Sequence, residues 1–230
     1  MSDISGFLHK ASIYAVPVLL AITFHEAAHG YVAYKKGDPT AFMLGRVTLN
    51  PLKHIDPIGT VLLPIMMLLM GTGMVFGWAK PVPVNFRLLR DQKWDPIYVA
   101  AAGVVTNLGL AALAGILFRL LLANDPGIMG AAMGRDVGCD VASRVVTVPL
   151  ALMSLVFVQF NILLAVFNMI PIPPLDGGRI AVGLLPARAS MALASVERYG
   201  MLIIIALLMF GPFGMIGSLI QWLSSFILGI

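Results

Sequence analysis

Long apolar runs constrain this chain more than any other feature of its sequence. A transmembrane helix needs about 20 consecutive, mainly apolar residues. Runs near that length lie at 11–34, 58–75, 97–122, 147–170 and 199–228. Gly211 and Pro212 interrupt the last run, which corresponds to one kinked helix or to a tight pair of shorter ones. The runs predict an all-α polytopic membrane protein with five transmembrane helices, or six if the last run is divided.

The composition indicates the same solvent. Hydrophobic residues make up 59% of the 230 residues and charged residues only 11%, whereas an average soluble domain carries about 25% charged residues. The 15 lysines and arginines are scattered between apolar runs rather than gathered in a stripe, which argues against a nucleic-acid partner. The first run carries two histidines and a glutamate that cleavage would discard, so it is not a signal peptide. We expect one domain over residues 1–230, embedded in a lipid bilayer.

Three connecting segments contain prolines that exclude long helices. They cover residues 35–57, 77–85 and 171–178. In the second segment Val82 and Val84 alternate with prolines, a pattern typical of a short β-like edge, with a plain stiff loop as the alternative. The third segment follows an apolar run directly, and non-helical backbone at membrane depth is tolerated where it is buried in protein or lines a cavity. We therefore expect residues 171–178 to form a non-helical, membrane-embedded part of a site.

Two histidines and a glutamate lie together in the first apolar run, in the order His25-Glu26-Ala27-Ala28-His29. On a helix, positions i and i+4 project from one face, so both imidazoles can reach one metal ion with Glu26 beside them. A charge at the bilayer centre costs at least ~2.5 kcal/mol on insertion scales, and no structural role repays that cost. This pattern indicates a metal-dependent hydrolase; the alternative is two histidines hydrogen-bonded inside a helix bundle.

A catalytic zinc site usually has three protein ligands and an open position for water, so a third ligand is required. The only cysteine, Cys139, excludes a cysteine-based site. The residues of suitable chemistry are Asp176, His54, Asp56 and, more remotely, Asp38. Asp176 is favoured because prolines precede it and two glycines follow it in apolar surroundings, where a carboxylate needs a cation. The alternative for Asp176 is an Asx-type cap of a helix that starts at Gly177.

Two long motifs together resemble the site-2 protease family of intramembrane zinc metalloproteases, in its compact bacterial and archaeal branch. They are HEAAH at 25–29 and NMIPIPPLDG at 168–177. Further similar stretches are GDPT at 37–40, GRVTLNP at 45–51, HIDPIGT at 54–60 and GWAKPVPVN at 77–85. The resemblance implies one Zn²⁺ ion held by His25, His29 and Asp176, with Glu26 as the acid and base of the reaction.

The third core helix departs from the family pattern at one position. Many members carry Gly-Pro ahead of an asparagine there, whereas this chain has Gly103 and Val104 ahead of Asn107. We expect Asn107 and Asn168 to hold the substrate or the oxyanion; the alternative is hydrogen bonding between helices, worth about 0.6 kcal/mol each. His54 is expected either near the metal, where it can gate water, or in a role that structures its loop.

The resemblance implies an enzyme that hydrolyses peptide bonds within or next to transmembrane segments, in the plasma (inner) membrane of a prokaryote. Zinc lowers the pKa of a bound water to about 7, and Glu26 would take its proton and later pass it to the departing amine. A transmembrane helix hides its carbonyl groups in its own hydrogen bonds, so substrates should carry helix breakers near the cut site. The segment at Val82 to Val84 can receive an unwound strand by β-augmentation.

Two other functions are compatible with a polytopic chain of this kind. A metal-ion transporter also places histidines and acids in the membrane, but it needs ligands staggered along a path, whereas these converge on one point. A proteolytically inactive scaffold on the same fold is disfavoured because every expected catalytic residue is present. The expected partners are transmembrane protein substrates and the lipid bilayer, and the sequence predicts no particular oligomeric state.

Overall fold

The computed structural model describes residues 2–70, 77–132, 141–210 and 213–230. Within these ranges the secondary structure is helical and contains no β-strand, which confirms the all-α fold class. The α-helices are α1 (Ser2–Lys35), α2 (Thr40–Met43), α3 (Leu63–Leu69), α4 (Trp94–Asn124), α5 (Ile128–Ala132), α6 (Val141–Asn168), α7 (Asp176–Leu184), α8 (Ala187–Ser195), α9 (Gly200–Phe210) and α10 (Phe213–Leu228). Short 3-10 turns lie at Pro51–Lys53, Phe86–Leu88 and Val196–Tyr199, and a π-helical stretch at Pro57–Leu62 leads into α3.

Three helical stretches of the described chain are long and apolar enough to cross a membrane. They are Trp94–Asn124, Arg144–Asn168 and Ala187–Leu207. Shorter apolar helical stretches lie at Pro57–Met67 and Gly214–Leu228, and the first predicted run lies within α1. Residues 71–75 of the second predicted run and residues 211–212 lie outside the described residues, so the choice between five and six spans stays a prediction.

A long helical stretch begins before the last apolar run of the sequence. The apolar run starts at residue 199, but the helical stretch already starts at Ala187 and continues through the turn at Val196–Tyr199 into α9. This stretch includes the charged residues Arg188 and Glu197. A helix satisfies its hydrogen bonds within its own backbone whatever the polarity of its side chains, so charged residues near its start do not prevent it from forming.

The chain divides into two compact units by its internal contacts. We call Met1–Ala21, Val104–Ile170 and Arg198–Ile230 the packing unit, and Ile22–Gly103 and Pro171–Glu197 the site unit. Helices α1 and α4 each contribute one part to each unit. That residues 1–230 form one domain stays a prediction.

Apolar side chains fill the centre of the packing unit. Phe118 on α4 and Ile162 on α6 are fully buried there. Helix α10 packs along α6, and a Cβ at Gly115 on α4 would collide with Ile227 on α10. Close approach of helices at small residues is the packing mode expected where lipid removes the hydrophobic drive between them.

In the site unit one motif ends α1, and an ion pair beside it joins that end to the start of α4. Helix α1 ends in a Schellman motif: Gly37 has a φ of 113°, and the amide of Asp38 donates to the Ala33 carbonyl at 2.9 Å. Directly before that glycine, the Lys36 ammonium contacts the Asp95 carboxylate at 2.9 Å. These contacts set α1 and the first turns of α4 side by side, and the histidines of α1 face that neighbour.

Candidate metal centre

Helix α1 presents His25 and His29 from one face, as their spacing of four residues predicts. Their Nε2 atoms are 3.0 Å apart and their rings meet edge to face, with centroids 4.5 Å apart. His25 is 6% exposed. Two imidazole nitrogens therefore converge on one buried point.

Asp176 supplies the third converging atom. Its Oδ2 atom lies 3.3 Å from Nε2 of His25 and 3.4 Å from Nε2 of His29. Asp176 is the first residue of α7, so the helix begins two residues before the predicted end of the non-helical segment at residue 178. The amides of this first turn have no acceptor within the helix. Leu175 is the N-cap and makes no side-chain cap bond, so the alternative of an Asx-type cap at Gly177 is not realised.

The three donor atoms fit a tetrahedral metal. Bonds of about 2.0 to 2.1 Å separate the donors of a tetrahedral zinc site by about 3.3 to 3.4 Å, and the observed separations are 3.0, 3.3 and 3.4 Å. Within the described ranges His25, His29 and Asp176 form the one cluster of potential ligands that can hold a metal ion. Oδ2 of Asp176 is buried without a hydrogen-bond donor in the described chain. Three lone-pair-bearing atoms at these distances repel each other unless a metal ion or a proton lies between them, and the donor set fits a metal ion.

Helix α4 sets the orientation of the two imidazoles. Nδ1 of His29 donates to the Val99 carbonyl at 2.7 Å, which leaves Nε2 of that ring with a lone pair for a metal. One turn further on, a Cβ at Gly103 would stand 2.5 to 2.7 Å from atoms of both imidazoles. Glycine at position 103 is therefore required for the close approach of α4 to both rings.

The segment before Asp176 is folded tightly against the start of α7. Pro173 is fully buried, and a Cβ at Gly178 would collide with the backbone of Ile172 and Pro173. The amide of Leu175 donates to the Ile172 carbonyl at 3.0 Å. Glycine at position 178 thus allows the proline-rich turn that presents the Asp176 carboxylate.

Glu26 does not belong to the cluster of potential ligands. Its Oε2 atom accepts a hydrogen bond from the amide of Val82 at 2.7 Å. The residue is partly buried on the helix face that adjoins His25. Its carboxylate is therefore held by the segment 77–85 and lies outside the candidate metal cluster of the described chain.

The other candidates for the third ligand have structural contacts instead. Asp38 is fully buried and accepts hydrogen bonds from the amide of Thr40 at 3.0 Å and the amide of Asn85 at 2.6 Å. Asp56 caps the helical stretch that begins at Pro57, through the amides of Ile58 and Gly59. Neither carboxylate belongs to the metal cluster.

His54 is buried and contacts two loops. Its Nε2 donates to the Thr48 carbonyl at 3.0 Å, and its own carbonyl accepts from the Lys80 amide at 2.9 Å. These contacts favour the loop-structuring role over a place at the metal, since His54 is absent from the cluster in the described chain. Whether His54 also gates water stays a prediction.

The segment 77–85 is a loop rather than a strand. It contains no β-ladder in the described chain, which agrees with the stiff-loop alternative, and it is fixed along its length by other parts of the site unit. The Trp78 amide donates to the Gly59 carbonyl at 3.2 Å, and the Arg46 guanidinium donates to the Lys80 carbonyl at 2.8 Å. The hydrogen bond from Val82 to Glu26 belongs to this set.

The asparagines predicted to hold substrate belong to the packing unit. Nδ2 of Asn168 donates to the Leu164 carbonyl of its own helix at 3.0 Å, and Asn161 makes the same kind of bond to Phe157 at 2.7 Å. Asn107 is fully buried. These contacts fit a role within helices, and direct roles of Asn107 and Asn168 toward substrate stay predictions.

The sequence motifs did not predict three groups that contact the candidate ligands or Glu26. They are the Val99 carbonyl, the missing side chain of Gly103 and the Val82 amide. Gly103 was visible only as part of a departure from a family pattern. Main-chain groups carry no residue type, so only the packing of α4 and of the loop against α1 identifies them.

Comparison with known proteins gives a family match and several relatives. A model described as Peptidase family M50 matches residues 127–211, which include Asp176. A Bacillus subtilis protein named "Putative zinc metalloprotease YwhC" is 36% identical over 207 residues, 90% of this chain and 83% of the relative. No solved structure matches the chain.

Mycobacterial relatives carry a similar name, "Putative zinc metalloprotease Rip2". The protein of Mycolicibacterium smegmatis is 30% identical over 191 residues, 83% of this chain and 64% of the relative. That of Mycobacterium tuberculosis H37Rv is 25% identical over 189 residues, 82% of this chain and 63% of the relative.

Proposed function

We propose a function for this chain, which belongs to peptidase family M50, the site-2 protease family. The protein is an intramembrane zinc metalloprotease that cuts other membrane proteins within or next to their transmembrane segments. The observation that carries this proposal is the convergence of His25, His29 and Asp176 to within 3.4 Å of one another. Glu26 adjoins this cluster as a carboxylate that is not needed as a ligand.

The residues present divide the chemistry between them. His25, His29 and Asp176 would hold the ion and leave one tetrahedral position open. A zinc ion held there would supply Lewis-acid chemistry: polarisation of the scissile carbonyl and a pKa of about 7 for a water molecule. Glu26 takes a proton from the attacking water and delivers it to the departing amine nitrogen, which is general acid and base catalysis by one carboxylate.

The surroundings of the cluster support a dedicated catalytic site. The Val99 carbonyl fixes the tautomer of His29, and outer hydrogen bonds of this kind typically change metal affinity or activity 10- to 100-fold. The buried position of His25 and Asp176 excludes bulk water, which strengthens the electrostatic interactions inside the site.

The proposed substrates are transmembrane segments that unwind easily. A peptide carbonyl inside a stable helix is occupied by its own hydrogen bond, so attack requires a locally unwound stretch. Helix-breaking residues such as glycine or proline near the cut site lower the cost of unwinding. We further propose that the protein acts as a multi-pass protein of the plasma membrane of a prokaryote, in regulated intramembrane proteolysis or the clearance of membrane stubs.

Cleavage of a model substrate by purified protein tests this function. The substrate is a fluorescently labelled single-span peptide with Gly-Pro near its centre, in detergent, and the variants are the parent and Glu26→Gln. We expect the parent to cleave and Glu26→Gln to be slower by about 10²- to 10⁴-fold, with zinc content unchanged because Glu26 is not a ligand.

A chelator arm and a transport arm separate the competing functions. Removal of zinc should stop cleavage, and return of zinc should restore it. Zinc uptake into proteoliposomes without any cleavage would support a transporter, and intact substrate with the metal bound would support an inactive scaffold. Equal cleavage rates for the parent and Glu26→Gln would overturn the assigned role of Glu26.

A further inference from the structure

The loop 77–85 touches the catalytic carboxylate directly. The Val82 amide donates to Oε2 of Glu26 at 2.7 Å, which is a short, charge-assisted hydrogen bond. Oε1 of Glu26 makes no hydrogen bond to any residue in the described ranges. One oxygen of the carboxylate is therefore fixed, and the other is left for the proton of the reaction.

The sequence of the loop makes this donor unique at its position. Pro81 and Pro83 have no amide hydrogen, so the Val82 amide is the one main-chain donor in the stretch 81–83. The Val82 amide donates its hydrogen bond to Glu26. A substrate strand that added along this stretch would find carbonyl groups there, while the Val82 amide remains bound to the carboxylate.

The face of α1 is shaped to receive Val82. Gly30 lies one turn after Glu26, and a Cβ at that position would stand 3.0 Å from Cγ1 of Val82 and 3.0 Å from Cγ2 of Val47. Val82 is 8% exposed. The helix thus contacts Val82 at two positions: Gly30 leaves room for its side chain, and the Glu26 carboxylate accepts from its amide.

Contacts on both sides of Val82 prevent the loop from moving along α1. On one side the Lys80 amide donates to the His54 carbonyl at 2.9 Å. On the other side the Asn85 amide donates to the buried Asp38 carboxylate at 2.6 Å. These two anchors fix the distance between the Val82 amide and α1.

We propose that Val82 is a positioning residue for the general base: its main-chain amide holds the Glu26 carboxylate in the orientation in which the free oxygen faces the attacking water. This inference rests on the proposed function of Glu26. It assigns to the loop 77–85 a role in the orientation of the base, apart from any contact with substrate.

Replacement of Val82 by proline removes the donor and also changes the buried side chain that packs against Gly30. A residue that precedes a proline is already restricted to the extended and polyproline II region, and proline itself adopts polyproline II backbone. Val82→Ala is the control that keeps the amide and shortens the side chain. Val84→Pro is the matched control in the same loop, because the Val84 amide donates to no residue that the structure describes.

The measurement is kcat and KM for the same Gly-Pro peptide, together with zinc content and Tm. We expect Val82→Pro to lower kcat about 10- to 100-fold, as loss of other outer hydrogen bonds at metal sites does, with KM and zinc content as in the two controls. A kcat for Val82→Pro equal to that of Val84→Pro would overturn the inference, and so would a higher kcat, which would mean that the loop restrains the base.

A second variant decides the matter if Val82→Pro fails to fold or to bind zinc. Gly30→Ala places a Cβ 3.0 Å from Cγ1 of Val82, which must shift by a few tenths of an ångström, and we expect the Val82 amide to move with it. A lower kcat at unchanged KM and zinc content supports the inference, and an unchanged kcat overturns it. The parent and Glu26→Gln, measured alongside, report on the proposed function itself, since an inactive parent would contradict that function and not this inference.

Discussion

Among the described residues the site unit buries ionisable side chains, whereas the packing unit buries only uncharged polar ones. The buried ionisable residues of the described chain all lie in the site unit: His25, Asp38, Arg46, His54, Asp95 and Asp176. The buried polar residues of the packing unit are uncharged: Asn107, Ser154, Asn161 and Ser224. A buried charge is costly unless it is paired or bound to a metal, so the chain confines that cost to the region where chemistry or a fixed loop requires it.

Helix α4 contains both kinds of surroundings along its length. Its first turns belong to the site unit, where Val99 and Gly103 meet the two imidazoles. Its later turns belong to the packing unit, where Phe118 is fully buried among apolar side chains. One helix therefore contacts the two candidate ligand imidazoles at one end and packs a core at the other, and substitutions along it can separate the two roles.

Gly103→Ala, at the site-unit end of α4, should have the largest effect on zinc affinity and activity. Its Cβ would stand 2.5 to 2.7 Å from both imidazoles, so the rings must move, and we expect at least a tenfold loss of zinc affinity and of activity. Gly109→Ala is the matched control on the same helix, because a Cβ there meets no described atom within 4 Å.

Zinc titration of the purified variants, with cleavage of the model peptide, measures both effects. Alanine favours helix over glycine by about 1 kcal/mol, so Gly109→Ala should retain zinc and be as stable as the parent or more so. If Gly103→Ala bound zinc as tightly as the parent, α4 would have no part in orienting the ligands.

Phe118→Ala, at the packing-unit end of α4, should have an intermediate effect, and it should lower stability rather than zinc binding. Lipid solvates an exposed apolar side chain as well as the protein core does, so the main cost is the cavity, on the order of 2 kcal/mol. We expect a lower Tm with normal zinc content below the transition. Leu120→Ala is the control, because Leu120 is 57% exposed on the same helix.

Thermal unfolding followed by circular dichroism, with zinc measured on the folded protein, separates stability from metal binding. A loss of zinc in folded Phe118→Ala would show that the two roles of α4 are not independent. Equal Tm values for Phe118→Ala and Leu120→Ala would remove the case for a packed core at this end of the helix.

The convergence of the three candidate ligands was predictable because local features of the sequence point to each of them. A spacing of four residues on a helix places His25 and His29 together in any helical fold, and Asp176 was recognised by a carboxylate among prolines and glycines in an apolar stretch. The start of α7 at Asp176 was not predicted, because glycines at 177 and 178 read as a turn. At a helix start they are tolerated, and Gly178 is needed for the close packing on Pro173.

The supporting contacts were not predictable, because they depend on tertiary structure. The amide of Val82 and the carbonyl of Val99 have no residue type that a sequence pattern can identify, and their roles follow from which segments meet α1. Asp38 was considered as a remote ligand because an acid near a metal motif is a reasonable candidate. The structure assigns its carboxylate to Thr40 and Asn85 instead.

The ion pair between Asp125 and Arg144 in the packing unit should have the smallest effect. Arg144 donates from Nε at 2.8 Å and from its terminal nitrogen at 3.0 Å, and these hydrogen bonds hold the pKa of Asp125 below its usual value of 3.8. A carboxyl whose pKa is lowered in the folded state stabilises the protein above the unfolded pKa, and this contribution is lost as pH falls through the folded pKa.

Asp125→Asn should therefore lower Tm slightly at pH 7, because a partly solvent-accessible ion pair contributes little to stability. The difference in Tm from the parent should shrink as pH falls below 3.8, the ordinary pKa of the carboxyl, since the parent then loses the same charge. Zinc content and cleavage at pH 7 should not change. A Tm difference that stayed constant from pH 7 to pH 3 would mean that the charge of Asp125 does not stabilise the packing unit. The stabilising contact would then be the hydrogen bond that Asp125 accepts from the Gly127 amide, whose geometry an asparagine side chain keeps less well.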